Sequence, residues 1–136
     1  MTIRFHLVAL LSAIVVTYST AATAEPKWQV EITGMPALSG GVVMPLTIGS
    51  IHKSNLIGAN AIVNFSVIEG ETIAVDSAQV YYLDSGARCD LGSGSAGKGG
   101  LSAARENDRL VVSGEISCRE ADAEPQMRTI SAWYRQ

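Results

Sequence analysis

The stretch Arg109-Leu110-Val111-Val112-Ser113-Gly114-Glu115-Ile116-Ser117-Cys118 places Leu110, Val112, Gly114, Ile116 and Cys118 on one side of an extended chain. Val111, Ser113, Glu115 and Ser117 fall on the other side, so the period is two and the segment is a half-buried strand. The same alternation recurs on both sides of it. Trp28, Val30 and Ile32 alternate with Gln29 and Glu31, Ala61, Val63, Phe65 and Val67 with Ile62, Asn64, Ser66 and Ile68, and Ile130, Ala132 and Tyr134 with Thr129, Ser131 and Trp133. Gly, Pro, Asn, Asp and Ser separate these runs, as turns require. The expected fold is all-β: a small antiparallel β-sandwich, immunoglobulin-like in architecture, of about seven strands, with an open β-barrel as the alternative.

Further strands are expected over 42–48, where Pro45 demands an edge or a bulge, over 72–75 after the turn Glu69-Gly70-Glu71, and over 80–83. A short helix is expected at 101–107, where Ala, Arg and Glu follow Gly99-Gly100.

The chain has 136 residues, 47% hydrophobic and 17% charged, with a net charge of −3. That suits one globular domain and disfavours disorder. A sequence pI near 5.3 leaves no basic footprint for nucleic acid. Residues 1–24 begin with Arg4 and His6, continue through an apolar run at 7–16 and end in Ala22-Thr23-Ala24. The pattern predicts a secretory signal peptide cut after Ala24. The apolar run is about half the roughly 20 residues of a membrane-spanning helix. The expected mature domain, 25–136, is 112 residues long, carries −4 and has no transmembrane span. Export to a periplasm or extracellular space would oxidise Cys89 and Cys118, the only two cysteines. Their disulfide would close a loop whose constraint on the unfolded chain is worth about 3.6 kcal/mol.

Histidine is scarce, whereas carboxylates are plentiful in the second half, where interspersed arginines make a mixed solvated surface the expectation. Beyond residue 24 the only histidine is His52, expected in a solvated loop, so neither a zinc site nor a Ser-His-Asp triad is readily assembled. Gly92 to Gly99 matches the spacing of a phosphate-binding loop but puts Gly99 where Ser or Thr should hold magnesium. No cofactor or metal is expected. Asp76-Ser77-Ala78-Gln79-Val80-Tyr81-Tyr82 resembles the segment leading into the second core cysteine of immunoglobulin variable domains, although Leu83 stands where that cysteine would be. The resemblance implies a sandwich in which a buried tyrosine hydroxyl finds a backbone partner.

Charge is distributed unevenly. Lys53 is the single formal charge in the 37 residues from Ile32 to Ile68, whereas the second half is dense with both signs. Val42, Met44, Leu46, Ile48, Ile51 and Leu56 are therefore the candidate interface. The expected function is non-catalytic: an exported protein-binding module, an accessory or structural component of a bacterial cell-envelope or surface assembly. Its partner is another protein, with homo-oligomerisation open. One alternative is a secreted inhibitor or immunity protein acting through the Gly-rich, disulfide-framed loop 90–107, with Gly94, Lys98 and Arg105 as contact residues. A carboxylate-based hydrolase ranks last.

Overall fold

A computed structural model describes residues 25–92 and 100–136. The expected signal peptide lies outside the described residues. The fold is all-β. The ten strands among the described residues are β1 (Trp28–Ile32), β2 (Leu38–Gly40), β3 (Val42–Ile48), β4 (Ile51–Ile57), β5 (Ala61–Glu69), β6 (Ile73–Tyr82), β7 (Arg88–Asp90), β8 (Leu101–Glu106), β9 (Arg109–Arg119) and β10 (Gln126–Arg135). All pairings are antiparallel, in the order β2-β1-β10-β9-β7-β6-β5-β4-β3, and β8 bridges β9 and β6. Strands β6, β7, β9 and β8 thus close a small barrel-like ring at one side of the sandwich.

The ladder folds over on itself, so the apolar sides of β1, β10 and β9 meet those of β4, β5 and β6. Phe65 of β5 stacks on Tyr134 of β10 with ring centroids 5.5 Å apart. Trp28, fully buried on β1, donates its indole N–H to the Ile57 carbonyl of β4 at 3.2 Å. The edge of its ring packs against two glycines. A Cβ on Gly40 would lie 2.5 Å from the Ile57 oxygen and 2.6 Å from the indole nitrogen, and one on Gly58 would lie 2.9 Å from the ring. The alternation expected on β1, β5, β9 and β10 is seen: Val30, Val63, Phe65, Leu110, Val112, Ile116 and Ile130 are all core. Cys89 and Cys118 are bonded and directly opposite each other on β7 and β9. The bridge therefore ties neighbouring strands of the ring, unlike the immunoglobulin bridge between sheets.

Three expectations are corrected. Among the described residues the strands number ten and not about seven, partly because short β2 and β7 carry no legible period. The segments at 72–75 and 80–83 belong to one strand, β6, which passes through Asp76 and Ser77 at a register shift opposite Ser66 and Val67. A bulge absorbs the extra residue there. The expected helix at 101–107 is β8, paired with β9 over its whole length and turned by Asn107 at φ 56°. Ladder pairing overrides the helical preference of Ala103-Ala104-Arg105-Glu106.

Gly40→Ala should lower the unfolding free energy by about 2 kcal/mol, because nothing around the indole can give way without moving backbone. Gly41→Ala, whose Cβ meets nothing within 4 Å, should change it by less than about 0.5 kcal/mol. Urea unfolding of the two variants checks this.

Candidate interaction surface

Strand β3 is one free end of the ladder, short β2 being the other, and is held on one side only by β4 through the two-residue turn Gly49-Ser50, with Gly49 at φ 60°. The Glu69 N–H donates to the Ser50 carbonyl. In an antiparallel ladder this directs the backbone groups of even-numbered β4 residues to β5 and those of odd-numbered ones to β3. It follows that Val42, Met44, Leu46 and Ile48 bond to β4, while Val43, Pro45 and Thr47 face the open edge. Pro45 sits in the middle of that edge, where its missing N–H breaks the row of donors another strand would need.

The outward side chains of β3 to β6 form rows across the strands. At one end Val42, Ile57, Ile62 and Tyr81 lie side by side, and at the other Ile48, Ile51, Ile68 and Ala74 do so. Between them run Met44, Asn55, Asn64 and Gln79, then Leu46, Lys53, Ser66 and Ser77, with Ser66 buried in its row. Val42, Met44, Leu46 and Ile48 are 48–58% exposed, and Ile57, Ile62, Ile68 and Tyr81 are each more than a third exposed. Val43 on the inward side is only half-buried and Pro45 and Thr47 are exposed, so the opposing layer ends short of β3.

Of the six expected interface residues, the four on β3 stand on this face, and Ile51 joins them half-buried. Leu56 is a correction: it points the other way and is 0% exposed in the core. Ile57, Ile62, Ile68 and Tyr81 belong to the face and were missing from the expectation. Their signal was present in β5, where Ile62 and Ile68 occupy the side of the alternation that polar residues normally take. The candidate loop fares differently. Gly94 and Lys98 lie outside the described residues, and Arg105 is on β8, so residues 101–106 of the supposed loop are sheet.

Arg105 instead joins a polar chain at the mouth between the layers. The Thr47 hydroxyl and His52 Nδ1 are 3.1 Å apart, and His52 Nε2 lies 3.5 Å from a Glu69 carboxylate oxygen. The other Glu69 oxygen takes the Arg105 guanidinium, which also donates to Gln136 at 2.7 Å. His52 is thus on a strand, and not in a loop as expected. The Glu69 carboxylate is already shared between two cations or donors, which makes the chain a tie between β3, β4, β5, β8 and the end of β10. Beneath it lie the buried hydroxyls of Tyr134 and Ser54, neither with a full hydrogen bond. Burial pushes the Tyr134 phenol up to about 12, with Glu69 adding to the rise and neighbouring Ser54 and Arg105 pulling it back.

On the opposite layer, Arg109 stacks over Trp133 at 3.9 Å, and Arg135 flanks the same ring at 5.8 Å while pairing with Asp108 and Glu25. Tyr82, in the segment resembling immunoglobulins, donates to the Pro36 carbonyl at 3.4 Å. Among the described residues, no three His, Cys, Asp or Glu side chains converge as metal ligands.

The raised Tyr134 pKa has a definite consequence. Between its unfolded value of 10.0 and about 12, the folded state holds a proton that the unfolded state has lost. Stability attributable to this group is complete below pH 10 and is lost as pH rises to 12. Absorbance titration of tyrosinate should show a step near 12 that Tyr134→Phe removes. No protein-family model matches the chain and no curated protein matches it in sequence, so the functional reading rests on the geometry of this face.

Proposed function

We propose that this protein is a non-catalytic, exported binding module of a cell-envelope or surface assembly, and that it docks through the outer face of β3 to β6. The observation that carries the reading is the run of exposed apolar side chains on β3, continued onto β4 and β5, with Lys53 as the only charge among them. Exposed patches of this kind on small domains mark contact surfaces. Export is supported by the basic, apolar and small-residue zones of residues 1–24 and by the disulfide. Among the described residues, no helix is long and apolar enough to cross a membrane.

The face, and not the free edge, is the docking element. An added strand would meet Pro45 at its centre and lose a ladder hydrogen bond there. Side-chain packing against the outward rows meets no such gap.

Two measurements test the reading. N-terminal sequencing of protein recovered from the envelope fraction should begin at Glu25. A photo-reactive residue placed at position 44 should cross-link the protein in cells to one discrete protein species, while the same residue at position 131, on the opposite layer, should not. Absence of any product from position 44 overturns the proposal.

A further inference from the structure

The outward face has a property that a general apolar patch lacks: its pattern is its own reverse. Along β3 every outward residue is apolar. Along β4 the order is Ile51, Lys53, Asn55, Ile57, and along β5 it is Ile62, Asn64, Ser66, Ile68. Both strands therefore have apolar ends and two polar residues in the middle, Ser66 among these being buried. Reversing the direction of the strands leaves the distribution unchanged. Self-complementarity under a half-turn is the requirement of an isologous contact, in which one patch meets its own copy.

We infer that a second copy of this chain occupies the face. This identification of the occupant rests on the proposed docking function. The two-fold axis lies in the interface and runs across the strands, between the row containing Met44 and the row containing Leu46. It sets β3 against the second copy's β3 in the opposite direction. Val42 then meets the second copy's Ile48, Ile57 meets Ile51 and Ile62 meets Ile68, so both end rows pack apolar on apolar. Lys53, the one charge, meets the Asn55 side chain, whose carbonyl accepts its ammonium protons, and not another Lys53. Two sheets packed this way lie about 10 Å apart and are rotated by about 30°.

The size of the face agrees. Its apolar side chains leave on the order of 700 Å² open, close to the roughly 800 Å² that each partner contributes to a standard interface. Pro45 again selects the mode. Edge-to-edge joining of two β3 strands would confront two prolines near the dyad and forfeit the central donors of both copies. Face-to-face packing leaves the proline at the margin.

Sedimentation equilibrium of the exported protein, with its disulfide intact, should give a monomer–dimer equilibrium in the micromolar range. Leu46→Lys should weaken it at least about 100-fold, because it sets a new charge against apolar surface. Ser131→Lys, which adds the same charge on the opposite layer, should leave it unchanged. Thermal unfolding of both variants establishes that they are folded. The geometry is tested by cysteine pairs: a mixture of Val42→Cys and Ile48→Cys proteins should form cross-copy disulfides faster than either protein alone. A monomer throughout the concentration range overturns the inference, as does a dimer indifferent to Leu46→Lys. If position 44 still cross-links to a different protein while purified protein is monomeric, the docking function stands and the second copy is rejected. If the dimer forms as described but position 44 yields no product in cells, the docking function fails and the self-contact stands as a solution property.

Discussion

Trp28 is the point at which the two layers are held together. Among the described residues its indole is the largest fully buried side chain, its N–H reaches across to the Ile57 carbonyl, and Gly40 and Gly58 pack against its edge. A buried indole needs a partner for its single donor, and the carbonyl at the end of β4 supplies it. The contact does more than fill space. It fixes the end of β2 beside the end of β4, and with that fixes where the chain must cross from one layer to the other, at Gly40 and Gly41. Strand β3 begins immediately after this crossing. Its place at the free end of the second layer, and the exposure of its apolar side chains, are consequences of where Trp28 is anchored.

The other side of the sandwich is closed by different means. There β7 and β8, consecutive in the chain, both pair with β6 and with β9, so that β6, β7, β9 and β8 form a ring. The disulfide joins β7 to β9 inside that ring, and β7 is only three residues long. A strand so short contributes few ladder hydrogen bonds, so the covalent bond compensates for a weak pairing. Gly114 completes the closure, because a Cβ there would lie 2.0 Å from the Gly100 oxygen where β8 begins. One side of the molecule is thus sealed by a ring and a covalent bridge, and the other is left with an open edge blunted by proline.

That asymmetry organises the surface. The polar chain from Thr47 through His52, Glu69 and Arg105 to Gln136 spans the mouth between layers and covers the Tyr134 hydroxyl. It fastens β3 and β4 to the far layer at one end while Trp28 does so at the other. Between these two ties the outward face of β3 to β5 is an extended sheet surface with little charge. Exposed ion pairs of this kind add little stability individually, and their value here is to position the strands that display the face.

Period-two alternation made the core sides of β1, β5, β9 and β10 legible, because it depends only on neighbouring residues. Two cysteines and an expectation of export were enough to anticipate the disulfide, and Pro45 restricted β3 to an edge or a bulge. The charge-poor half identified the region of the candidate interface. The sequence could not separate Leu56 from Met44, both apolar and both in that half: one fills the core and the other faces solvent. Alternation assigns residues to two sides of a strand without saying whether either side is covered, and cover depends on how far the opposing layer extends. The same limit hid β8, whose alanine-rich segment prefers helix until β9 and β6 are present to pair with it, and it separated β6 into two strands at a bulge that only its partner defines. Local periodicity determined which residues share a side. Tertiary packing decided which sides are buried, because burial belongs to the pair of layers and not to either strand.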